Sequence, residues 1–203
     1  MALAAIVINE SELDTELCKF IPLLNSSVKD DPVKSVVGLA IELSYKSKVP
    51  VLALWSRNHG VIVHLLHFES IPTSLFNFLS LSEITFVGIQ IKDSIARLKR
   101  DYGLECRNAT DLGQLAAAVL EKPYLSCCGL QHLSFLVLGF EWSLSDSTVI
   151  TSPWNALDLK EGQVKKVGTS AHFSFSIGNK LLGGSYIDKE MEAIVSKALN
   201  ATG

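Results

Sequence analysis

The chain has 203 residues, 48% of them apolar and 19% charged, with a net charge of −3 and a pI near 5.9. That length suits one domain built around a single sizeable core. The small acidic excess excludes a nucleic-acid binder that relies on overall basic charge, so any grip on phosphate must come from a local patch.

Low charge content and a mean hydropathy of +0.29 favour a buried sheet or self-association, because monomers rarely expose large apolar patches. No apolar run reaches the roughly 18–20 residues that cross a bilayer. The start, Met1 to Ile8, has no basic flank of the kind a secretory leader carries. The cysteines Cys18, Cys106, Cys127 and Cys128 form no CxxC pair and read as reduced thiols of the cytosol or nucleus.

In chain order, Leu13, Leu17, Phe20, Ile21 and Leu24 recur at helical spacing, so Glu10 to Leu24 is expected to be a helix capped by Asn9 or Ser11. A polar loop, Asn25 to Lys34, leads to a buried strand from Ser35 to Leu43. Val49 to Trp55 and Gly60 to Leu66 are two further strands, joined by a polar turn at Ser56 to His59. So tight a connection predicts an antiparallel meander.

Pro72 to Leu81 is a short helix, Thr85 to Ile91 a strand, and Lys92 to Tyr102 a helix stopped by Gly103. Asn108 to Leu112 is a last short strand, followed by a helix through Leu120. Further helices are expected over Gly129 to Leu138, Lys160 to Leu182 and Asp188 to Leu199, with Glu141 to Leu159 irregular. No repeat or shift in composition divides residues 1–203, so a single domain is expected. A mixed sheet with helices on both faces satisfies the pattern, and the ribonuclease-H-like α/β architecture is one of several such folds.

Five stretches, in order, resemble plant members of the Werner-like branch of the DEDD 3′–5′ exonucleases. They are Val37-Gly-Leu-Ala-Ile-Glu-Leu43, Phe86-Val-Gly-Ile-Gln-Ile-Lys-Asp93, Asp101-Tyr-Gly-Leu104 with Asn108 to Leu112, Gly129-Leu-Gln-His-Leu with Val137-Leu-Gly139, and Ser152 through Gln163 to Gly178. No one motif is specific, but their shared order and spacing over residues 35–182 are. The resemblance implies a ribonuclease-H-like (DnaQ-like) fold. It also implies two-metal phosphodiester hydrolysis, in which four carboxylates hold two Mg²⁺ or Mn²⁺ ions at the scissile phosphate.

Carried over residue by residue, that site is incomplete here. The first motif, normally Asp-x-Glu, reads Ala40-Ile41-Glu42. The second motif's aspartate is retained as Asp93. The last motif, normally Tyr-x-x-x-Asp, reads Lys166 to Ser170, so both its tyrosine and its aspartate are missing. Glu42 and Asp93 are the remaining catalytic and metal-binding candidates. Asp111 and Glu105 are nearby acids able in principle to substitute, although Asp111 matches no metal ligand of the family.

Each candidate also has a plainer reading. Glu42 is a remnant ligand or half of an ion pair with Lys166; Asp93 is a remnant ligand or a helix cap. Lys92, Arg97, Lys99, Arg100, Lys165 and Lys166 are a solvated face or, where the resemblance places them near the substrate groove, phosphate contacts, with Lys92, Arg97 and Lys166 the expected ones. His64 and His67, taken as lying on one strand, would face opposite sides and suit no common metal, and His172 reads as a packing residue. Trp55, Trp142 and Trp154 are either base-stacking platforms or core.

The function expected from these residues is a catalytically impaired exonuclease fold. It would bind single-stranded nucleic acid, or act as an oligomeric partner of active relatives. The alternatives are an active Mg²⁺- or Mn²⁺-dependent 3′–5′ exonuclease and a protein-interaction module without nucleic-acid affinity.

Overall fold

In a computed structural model, which describes residues 4–25, 35–42, 48, 51–141, 153, 154, 156 and 158–183, alternation along the strands decides which helices cover which face. Six strands form one mixed sheet in the order β1-β4-β3-β2-β5-β6: β1 (Ala5–Val7), β2 (Ser35–Glu42), β3 (Val51–Ser56), β4 (His59–His64), β5 (Ile84–Gly88) and β6 (Ala109–Asp111). β2, β3 and β4 are the expected antiparallel meander, while β1 pairs with β4, and β5 with both β2 and β6, in parallel.

Val37 and Leu39 of β2, Leu52 and Leu54 of β3, Val61 and Val63 of β4, and Ile84 and Phe86 of β5 point to one face. There they meet α1 (Glu10–Asn25), α2 (Thr73–Leu79) and α3 (Ile91–Tyr102). Val36, Val51, Ala53, Trp55, Ile62 and Val87 point to the other face. That side is covered by α4 (Leu112–Val119), α5 (Leu130–Leu138) and α6 (Glu161–Leu181). A sheet buried on both faces explains why its strands read as continuous apolar runs.

Several expectations are corrected. The strand β1 was read only as a non-leader start; three residues are too few for a periodic signal. β4 ends at His64, and Leu65–His67 is a 3-10 turn, so His64 and His67 do not lie on one strand. Their rings meet edge to face at 4.6 Å. β5 ends at Gly88, and Ile91 opens α3 instead of closing the strand, because Gln90 takes a left-handed conformation that turns the chain. The proposed helix from Asp188 to Leu199, Trp142, and most of the irregular stretch before Leu159 lie outside the described residues. Among the described residues, no helix is long and apolar enough to cross a membrane.

Candidate functional site

Gly38, Ala40 and Glu42 occupy alternate positions of β2 and therefore share one face of it. α6 lies directly on that face. A methyl group at Gly38 would run into the carbonyl oxygen of Ala171 and the backbone nitrogen of Phe175, so only glycine lets helix and strand touch. Further along the same face, Lys166 Nζ donates to Glu42 Oε2 at 2.8 Å. Between these two tie points lie Ser170 along the helix and Ala40 along the strand. The positions matched to the first and last motifs thus lie on two contacting elements, β2 and α6.

The pair is mostly withdrawn from water, the Lys166 and Glu42 side chains being 17% and 15% exposed. Burial pushes the Glu42 carboxyl above its ordinary value; the hydrogen bond and charge of Lys166 pull it back. Lys166 Nζ also sits 5.0 Å from the ring centroid of the buried Trp154, a cation–π contact that supplies a second partner. Gln163 anchors this wall: its side-chain oxygen accepts from Lys160 N at 2.9 Å and its amide donates to Pro153 O at 3.4 Å. Lys166 is therefore held by Glu42 and Trp154 within the fold.

Asp93 stands in the first turn of α3 and is exposed. It is not the cap; Gln90 occupies the N-cap position, and no side-chain bond comes from it. The capping carboxylate belongs to Asp111, which accepts from Gly113 N at 2.9 Å and Gln114 N at 3.2 Å in α4 and from Ile91 N at 3.3 Å in α3. Asp111 is thus committed to backbone N–H groups, while Glu105 makes a solvent-exposed pair with Lys99 at 2.7 Å. Arg100 is bound to Asp101 at 2.7 Å. Lys92 and Arg97 are exposed on α3 and form no ion pair with the described residues.

An open groove of about 550 Å³ runs beside Asp93. It is lined by Gln90, Lys92 and Asp93, by Asp111 and Gln114, and by Ser126 to Gly129. From the sequence, Lys92 and Asp93 are candidate site residues and Asp111 a substitute acid, while Gln90, Gln114 and the Ser126 to Gly129 side were missed. The signal for Asp111 was present, an aspartate between a strand and the start of a helix; that it caps two helices depends on tertiary placement. His172 is buried, its ring 5.0 Å from that of Trp55, as a packing residue should be.

The residues do not fit a two-metal centre. Ala40 offers no donor, Ser170 only a neutral hydroxyl, and Glu42 is already bound to an ammonium. Divalent magnesium requires hard oxygen ligands and would meet the charge of Lys166. Among the described residues, no group of three or more His, Cys, Asp or Glu is gathered for a metal.

The fold superposes on crystal structures of the EXD2 exonuclease domain. One soaked in Mg and GMP gives a TM-score of 0.54 at 25% identity, covering 97% of this chain and 96% of that one. One soaked in Mn gives 0.53 at 24%, covering 98% and 97%. The architecture is therefore that of a ribonuclease-H-like exonuclease domain.

Sequence relatives agree, and the chain is a homologue of 3′–5′ exonuclease-domain proteins. Human exonuclease 3′–5′ domain-containing protein 2 is 29% identical over 169 residues, 80% of this chain and 27% of that protein. The RISC-interacting clearing 3′–5′ exoribonuclease 1 of Arabidopsis thaliana is 33% identical over 81 residues, 40% of each chain. The matches thus span two-fifths or less of these curated relatives, and no family model matches.

Proposed function

We propose that this chain is a 3′–5′ exonuclease fold that holds single-stranded nucleic acid without ordinary two-metal cleavage. The observation that carries this reading is the 2.8 Å contact between Lys166 and Glu42. It places a fixed ammonium against the one carboxylate left in the first motif, at a site where the family would use metal ions. The absence of carboxylates at Ala40 and Ser170, and the engagement of Asp111 by backbone N–H groups of two helices, support the same reading. The groove beside Asp93, with Lys92 on its wall and Arg97 further along α3, is the strand-binding surface in this reading.

Fluorescence anisotropy of a short 5′-labelled single strand at rising salt tests it. Binding should fall with salt, and Lys92→Ala or Arg97→Ala should each reduce the log–log slope by about 0.7. Absence of salt-dependent binding would refute the reading and leave the protein-interaction module.

Self-association is the second reading. Val119, Leu120, Tyr124, Phe135 and Leu136, on α4, the following turn and α5, expose large apolar surface. Light scattering that returns only a monomer would remove it.

A further inference from the structure

One carboxylate at the groove bridges the starts of two helices. Asp111 closes β6, paired with Gly88 at the end of β5, so the two parallel strands deliver their following helices side by side. Its Oδ2 accepts from the first residue of α3 and its Oδ1 from the first turn of α4. Each helix start has backbone N–H groups without an intrahelical partner, and Asp111 satisfies some in both.

Two neighbouring features depend on the same point. Gln90, at the lip of the groove, holds a left-handed φ of 50°, a conformation that a glutamine keeps only when its surroundings enforce it. The adjoining Ile91 N–H is tied to Asp111. Gly113 lets the opposite wall approach, since a Cβ there would lie 2.9 Å from Ser126 O.

We propose that Asp111 is the positioning residue of the groove: by capping α3 and α4 together it fixes Lys92 and Asp93 relative to Gln114 and the turn that carries Ser126 and Cys127. The proposal rests on the reading that the groove takes a nucleic-acid strand. It predicts an effect of unusual sign. A carboxylate beside a phosphate-binding lysine is an electrostatic liability, so its removal should tighten binding if its charge were all that mattered. A positioning role predicts weaker binding instead.

The experiment is a double-mutant cycle on the full chain, using anisotropy of a short 5′-labelled single strand at fixed salt. Asp111→Ala should weaken binding about tenfold, and Asp111→Asn, which keeps one acceptor oxygen, should fall between it and the natural protein. Lys92→Ala should weaken the natural protein but add little to Asp111→Ala, because a displaced lysine contributes nothing further to lose. Additive effects, or tighter binding by Asp111→Ala, would overturn the proposal.

Amide hydrogen exchange separates this failure from that of the nucleic-acid reading. Asp111→Ala should speed exchange at Ile91 and Gly113. Asn9→Ala, which removes the α1 cap on Glu12 N (3.0 Å), should leave both unchanged. If no protein binds the strand, the nucleic-acid reading fails, and with it the role of Asp111 in binding. Unaltered exchange at Ile91 would overturn the clamp itself.

Discussion

Lys166 and Glu42 share a setting in which either is costly alone. A buried ion pair need add little to stability, yet removing one member strands the other without water or partner. Lys166→Met should therefore lower unfolding free energy by about 3 kcal/mol, while Lys166→Met with Glu42→Leu should restore most of it. Urea melts of the two variants decide this.

The pH dependence has a definite sign. Because Glu42 is raised above its ordinary 4.5, the folded state binds more protons than the unfolded one between that value and the folded one. Stability relative to Glu42→Gln should then fall as pH rises through that window. A relative gain would mean that the pull of Lys166 outweighs burial.

At this scale the sequence was partly legible. Motif order put Lys166 and Glu42 in one site, and opposite charge made them partners. Trp154 as a ring beneath the ammonium was not legible, because the turn that brings it there has no periodic signal.

Among the elements, the contact of β2 with α6 positions everything else in the site. Gly38→Ala should destabilise the protein by about 3 kcal/mol, since the clash is with helix backbone that has no rotamer to yield. Thermal melts would check it, and a neutral outcome would mean that α6 moves freely over the strand.

The meander and most helices were readable from period and turn residues. The errors fell where tertiary contacts override local pattern. β1 is short and is held by β4; Ile91 is apolar enough to extend a strand but donates its N–H to Asp111. His67 was assigned to a strand because the apolar run continues through Leu65 and Leu66, whereas the backbone folds into a 3-10 turn.

At the scale of the whole molecule, the described residues have the architecture of an exonuclease domain. The six-stranded sheet and the helices on both its faces are in place, and Lys166 pairs with Glu42 where α6 crosses β2. The fold was legible in the sequence because motif order and spacing survive substitution of the motif residues. The groove was not, since its walls come from three separated segments, Ile89 to Asp93, Asp111 to Gln114 and Ser126 to Gly129.

The central claim, that this centre has been taken out of two-metal chemistry, is tested most directly by a nuclease assay on labelled single-stranded RNA and DNA with Mn²⁺. The natural chain is run beside a variant carrying Ala40→Asp, Lys166→Tyr and Ser170→Asp. The account predicts an intact strand with the natural chain and stepwise loss from the 3′ end with the variant. Degradation by the natural chain, abolished by Asp93→Ala, would contradict it.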